Sequence, residues 1–350
     1  MSVKKLWLGI LFMMLVLVLG TGCGQQEAVD YAGYHVGYSW SGESQGVTLE
    51  EADSYIETIL QLDSDGTILD AKMRFFVQKD GFWVPRQSGN ASVSVNYAVD
   101  PVAAVPGEDY ERGTSMFTIH AVDLMSFYAV GVSDEGIAAI ALVDPVTRYQ
   151  FEMKLGPDFD YSTPMGDLTV GSGAAVPTVR TSGSGLLKPS DWESLADRNI
   201  LEIDDMWSYV VTYRGVLQGI GDDSTAQEFL SALGVEFPGN QPQAHPVSYG
   251  YVGIGGWAGN YDAIENWLIG RNATDVLSLV DWNNPYYANN VDEDNFFGQE
   301  AVTGATRTIQ NSSDGISGAT VRVSRESTSY QRALVDAGIL SEDDVIKGRF

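Results

Sequence analysis

The residues best suited to chemistry in this 350-residue chain stand together in the string Asp314-Gly315-Ile316-Ser317-Gly318-Ala319-Thr320. Gly318 and Ala319 remove side-chain bulk just before a hydroxyl, so a modifying enzyme or a phosphate group can approach the backbone closely. Thr320 supplies that hydroxyl. Glu300-Ala301-Val302-Thr303-Gly304-Ala305-Thr306 repeats the pattern upstream with Glu in place of Asp, which makes Thr306 the second candidate. The competing reading of either string is an ordinary turn that runs into a strand.

The spacing Asp-x-x-Ser-Gly-Ala-Thr resembles the flavinylation motif of the FMN-binding domain family. That family occurs in subunits of sodium-pumping NADH:quinone oxidoreductases, Rnf-type complexes and extracytoplasmic electron carriers. The resemblance implies that Thr320 carries FMN through a phosphoester bond made by a separate flavin transferase. Asp314 matches the leading acidic position, Ser317 the Ser/Thr position, and Gly318 and Ala319 the small pair. The likeness covers the motif and the helix expected after it, where Tyr330, Ala333, Leu334 and Ala337 recur at helical spacing before Gly338.

A flavin held by its phosphate needs a place for its ring, and Tyr251, Trp257, Trp267, Trp282, Tyr286 and Tyr287 are candidates to stack on it. Trp267 also fits a helical apolar stripe, so a core role competes there. Gly253, Gly255 and Gly256 lack the spacing of a dinucleotide fingerprint. The three histidines, His35, His120 and His245, are far apart, and no serine sits in a Gly-x-Ser-x-Gly elbow. Asp63, Asp65 and Asp70 read as a turn rather than a calcium loop, and Asp292, Glu293 and Asp294 as a solvated loop. No metal site is expected.

Export is written at the start of the chain. Lys4 and Lys5 precede the apolar run from Leu6 to Leu19, and Gly20-Thr21-Gly22-Cys23 closes it, which resembles a bacterial lipoprotein signal. The run falls short of the ~20 residues a membrane span needs. Cys23 is the only cysteine, so it is the expected lipidation site and no disulfide is expected. With 20 basic and 47 acidic residues the net charge is -27, which removes the basic footprint a nucleic-acid binder requires. The same charge holds the body away from anionic headgroups on a short tether.

The elements that must position the motif follow from periodicity and turn chemistry. Leu69, Ala71, Met73 and Phe75 alternate with Asp70, Lys72 and Arg74, a half-buried strand paired to residues 55–62 across Asp63-Ser64-Asp65-Gly66. A second hairpin is expected over 127–143, turning at Gly136, and a weaker third over 209–220. Ser190 with Glu193 and Ser224 with Gln227 mark helix starts, and residues 261–280 read as a helix broken near Gly270.

The expected division is a signal peptide over 1–22, a tether over 23–30, an antiparallel β-rich domain over 31–161, a Gly/Ser/Pro-rich linker over 162–187 and an α+β, FMN-binding-like domain over 188–350. The fold class is therefore α+β. The functional expectation is an exported, lipid-anchored flavoprotein, an electron carrier or redox subunit rather than a stand-alone enzyme. Its expected partners are a flavin transferase, membrane or surface redox proteins and, through the lipid, the cell membrane. The alternative is a flavin-free surface lipoprotein that binds a ligand or another protein.

Overall fold

The computed structural model describes residues 29–144, 147–182, 187–203, 215–253, 255–280, 323–348 and 350. Its first sheet is a meander of β1 (Gly33–Trp40), β2 (Ser54–Leu62), β3 (Ile68–Lys79) and β4 (Phe82–Pro85), in that order and antiparallel throughout. The expected turn joins β2 to β3, where Asp63 Oδ1 accepts the Asp65 and Thr67 N–H groups and Gly66 takes φ 85°. A bulge at Leu69, opposite the step from Gln61 to Leu62, puts Ile68 into the core and leaves Leu69 half exposed, correcting the expected alternation by one residue at its start. Ala71, Met73 and Phe75 face inward as expected.

The second sheet has the order β10-β9-β8-β7-β11, formed by β7 (Phe127–Val132), β8 (Ala138–Val143), β9 (Tyr149–Leu155), β10 (Val176–Arg180) and β11 (His245–Tyr251). Both its faces are covered, which is why Phe127–Val132 and Ala138–Val143 read as unbroken apolar runs. One face packs Val130, Ile140, Leu142 and Phe151 against Phe229 and Leu230 of helix α1 (Ala226–Ala232). The other packs Phe127, Ala129, Ala139 and Ala141 against the hairpin of β5 (Ala91–Val95) and β6 (Phe117–Ala121). Glu152 is buried beneath that hairpin, yet it accepts from Ser115, Gln150, Thr178 and the Met116 N–H, so its desolvation is offset by four donors.

Two helices cover the first sheet. Helix α2 (Gly256–Leu268) lies on β3, and helix α3 (Val323–Asp336) lies across β1 and β2. Beyond the reach of β4, the edge of β3 is closed by side chains: Glu265 accepts the Met73 N–H, while Gln87 accepts from Phe75 and donates to the Met73 carbonyl. The α3 face against the sheet is unusually polar. Ser329 bonds Thr58 at 2.6 Å, and Ser39 donates to the Arg325 carbonyl at 2.8 Å.

The chain is thus a mixed, strand-rich α+β protein whose packing units are not consecutive in sequence. One core joins Ile56, Leu60, Met73 and Phe75 to Trp257, Ile264, Tyr330 and Leu334. The stretch 162–187, expected as a linker, holds a 3₁₀ turn at Met165–Asp167 and strand β10. Its small and hydroxylated residues make a compact turn in which Ser172 and Thr169 bond one another's backbones. As an edge strand, β10 tolerates Pro177 beside a register shift.

The helix starts also moved. Thr225 and Glu228, not Ser224 and Gln227, form the capping box of α1, because Ser224 Oγ is taken by the Gly221 N–H. Near Ser190 there is only a 3₁₀ turn, Glu193–Leu195, held by Asp191 accepting from the Ser194 N–H. Helix α2 begins five residues earlier than expected and ends before Gly270. Residues 209–214 of the third hairpin lie outside the described residues. Among those described, no helix is long and apolar enough to cross a membrane.

Candidate functional site

Asp314, Ser317, Gly318, Ala319, Thr320 and Thr306 lie outside the described residues, as do Cys23, Trp282, Tyr286, Tyr287 and the acidic residues 292–294. The described chain resumes at Val323, three residues after Thr320, where α3 begins. The first turn of α3 buries Glu326 and places Arg325 beside it, partly buried.

Around this turn the structure gathers basic side chains from distant elements. Arg86 follows β4, Arg148 stands in the turn from β8 to β9, and Arg325 comes from α3. The guanidinium carbon of Arg86 lies 4.9 Å from the Phe75 ring centre and 4.5 Å from that of Trp257. That of Arg325 lies 4.8 and 5.0 Å from the same two rings, and 5.6 Å from Phe350. Two cations thus share one pair of aromatic rings, whose negative faces attract them. Phe75 and Trp257 meet edge to face at 5.1 Å.

The carboxylates nearby are already engaged. Asp123, buried in the loop between β6 and β7, accepts the Met125 N–H at 2.9 Å and the Trp257 N–H at 2.8 Å. The second bond fixes the start of α2. There Gly256 is required, because a Cβ would collide with the Asp123 carboxylate and the Tyr251 ring. Glu326 accepts Tyr261 Oη at 2.8 Å and Arg325 Nε at 3.0 Å through the same oxygen. Its other oxygen is sealed and has no partner among the described residues. Asp144 accepts both the N–H and the hydroxyl of Thr147. Neither Arg86 nor Arg148 makes an ion pair with a described residue.

Burial sets the electrostatics. It pushes the Asp123 carboxyl up to about 6, against the opposing pull of its two N–H donors and of Arg86 and Arg148. Desolvation, then the like charges of Arg148 and Arg325, bring Arg86 down to about 10. Arg148 is lowered chiefly by desolvation and also by Arg325 and Arg180, while Asp144 and Asp123 pull it the other way. Burial raises the Tyr251 and Tyr261 hydroxyls, helped by Asp123 and Glu326 respectively. Three donors here are sealed without a partner among the described residues: Arg148 Nε, Trp257 Nε1 and Tyr251 Oη. Arg148 and Ser126 also adopt left-handed backbone, with φ 66° and 54°, a cost that surrounding structure must sustain.

Of the aromatics expected to stack on a flavin, Trp257 is a core residue, 1% exposed and flanked by the two arginines. Trp267 is half-buried beneath the guanidinium of Arg271 at 4.3 Å. Tyr251 is half-buried against Phe127. A groove of about 350 Å³ opens beside the cluster between β3 and α2, lined in part by Lys72, Arg74, Gln87, Tyr261 and Glu265. The described residues hold no group of three metal-ligating side chains. His245 meets Ser248 at 3.1 Å in a contact local to β11, and His35 bonds the Tyr31 carbonyl.

The arginine cluster is the part of the site that sequence reading missed. Arg86, Asp123, Arg148, Tyr251 and Arg325 belong to no local motif and come from elements far apart in the sequence, so neighbouring residues do not reveal the cluster. Comparison with protein-family models, characterised proteins and solved structures found no match.

Proposed function

We propose that this protein is an exported, lipid-anchored flavoprotein that carries FMN on Thr320 and relays electrons outside the cytoplasmic membrane. The observation that carries the reading is the complete Asp314-x-x-Ser317-Gly318-Ala319-Thr320 string leading directly into an amphipathic helix, α3. The lipid would attach at Cys23, after removal of residues 1–22. A flavin transferase would load the chain, and membrane or surface redox proteins would exchange electrons with it.

The described residues suit such a group. Three residues of chain span at most ~10 Å, so the backbone of Thr320 lies within that reach of Val323, where α3 begins. Tyr251 Oη and Trp257 Nε1 are sealed donors with no acceptor among the described residues, and the ring acceptors of a flavin are partners of the right kind. When bound, FMN supplies one- and two-electron chemistry; the protein holds it and sets its surroundings. Arg325 and Arg86 favour negative charge near α3, and Trp257 and Phe75 keep that place apolar.

The test is chemical. Protein coexpressed with a flavin transferase should keep yellow fluorescence on a denaturing gel and gain the mass of one FMN, and Thr320→Ala should lose both. A fluorescent Ala variant would move the site to Thr306. A mature chain with no added FMN, from a host that has the transferase, would leave the flavin-free surface lipoprotein as the better reading.

A further inference from the structure

We propose that Arg86, Arg148 and Arg325 form a binding site for a phosphate group. Arg86 and Arg325 share one pair of rings and Arg148 lies within electrostatic reach of both, in a chain that carries 27 more acidic than basic residues, and among the described residues no carboxylate makes an ion pair with Arg86 or Arg148. Desolvating like charges beside one another is costly unless an anion joins them.

The donors suit a tetrahedral oxyanion. Arginine presents a planar fork of N–H groups that matches phosphate oxygens two at a time. Arg86 and Arg325 are set against the same two rings, Phe75 and Trp257, and so are held in place before any ligand arrives. Arg148 Nε is a sealed donor with no acceptor among the described residues, and a buried group of this kind points to a missing ion or water. Arg86 is neither fully buried nor exposed, and its neighbours Pro85 and Gln87 line the groove between β3 and α2.

Asp123 and Asp144 attract Arg148, and Asp123 attracts Arg86, but the hydrogen-bonding capacity of the nearby carboxylates is directed at other donors. Asp123 spends both oxygens on backbone N–H groups, Glu326 is held by Tyr261 and Arg325, and Asp144 by Thr147. Arg180, whose Nε donates to the Thr147 carbonyl and whose Nη2 is sealed with no partner among the described residues, adds a further positive charge that acts on Arg148. Phosphate could come from solution or from a group tethered at Thr320. The site itself is independent of the flavin reading, because no motif residue builds it.

The experiment uses full-length Thr320→Ala protein made without a flavin transferase. Inorganic phosphate is titrated by calorimetry and thermal melting against chloride at matched ionic strength. Saturable binding with a rise in melting temperature beyond that in chloride is expected. Arg86→Gln should weaken it about tenfold or more, the scale of one lost charge-assisted contact, and Arg86→Lys should restore part of it. Equal melting in phosphate and chloride, with no binding heat, would overturn the proposal, as would an Arg86→Gln variant that melts cooperatively and binds phosphate unchanged. Should Arg86→Gln not fold, the titration of the parent Thr320→Ala protein decides alone. A second arm repeats the titration on chain carrying FMN. Phosphate binding retained there assigns the site to a diffusible ligand, whereas binding lost there assigns it to the tethered phosphate. Failure of flavinylation would leave the first arm intact.

Discussion

Gly37 of β1 lies directly beneath the Ser329 carbonyl of α3, so close that a Cβ on Gly37 would penetrate the helix backbone. The absent side chain lets the helix settle onto the sheet and lets Ser329 reach Thr58 at 2.6 Å. Gly37→Ala should therefore lift α3 from β1. We expect a loss of about 1–3 kcal/mol or more, the range for overpacking a tight contact, read as a lower urea midpoint. An unchanged midpoint would show that α3 does not rest on this strand.

Tyr261 and Glu326 should behave as one unit. Tyr261→Phe removes a hydrogen bond to a buried carboxylate, a loss of about 1.5–3 kcal/mol. Glu326→Ala leaves the largely buried Arg325 without its carboxylate and should lose about 3 kcal/mol, the lower end of the range for breaking a buried pair. Because both changes act on the same oxygen, the double variant should be clearly more stable than the two losses added together. Strict additivity in chemical denaturation would show that the two do not interact.

Asp123 gives a pH signature with a definite sign. Its folded value of about 6 exceeds the ordinary carboxylate value of ~3.9, so between those limits the folded state holds more protons than the unfolded state. Its contribution to stability is therefore fully present below about pH 4 and is lost as pH rises to about 6. Asp123→Asn cannot titrate. The stability of the Asn variant relative to wild type should rise between pH 4 and pH 6 and stay level above. A relative stability that is flat across this window would mean that the carboxyl is not desolvated.

Arg332 ties α3 to the start of the chain. It pairs with Glu43 and Glu342, donates to the Tyr38 carbonyl at 2.8 Å and lies 4.7 Å from the Trp40 ring centre. Lysine keeps the charge but loses the fork and the stacked plane. Arg332→Lys should cost about 1.5–3 kcal/mol, measured by urea unfolding. A cost near zero would reduce these contacts to ordinary surface pairing.

Local features of the fold were legible in the sequence and its long-range joins were not. The turns at Gly66 and Gly136 and the apolar spacing of Tyr330, Ala333 and Leu334 are written in neighbouring residues, and the corresponding elements are present. Residues 162–187 have the composition of a linker, yet backbone hydrogen bonding at 176–180 adds them to a sheet. At Ser224 and Thr225 two capping boxes compete, and the choice is made by the Gly221 N–H, a contact that helix patterning does not encode. For the site, the motif signal is local, whereas Arg86 and Arg325 meet only once β3, α2 and α3 have assembled.

The shared core of the first and last segments governs when this protein can fold. Strands β1 to β4 are synthesised early, but Ile56, Leu60, Met73 and Phe75 stay wet until Tyr330 and Leu334 have been made. At ~5–20 residues per second, ribosomes leave that sheet without its helical partner for on the order of 10–50 s. A nascent chain interrupted before Val323 consequently presents a greasy, half-finished meander to proteases and chaperones, and quality control rather than loss of a cofactor would decide its fate.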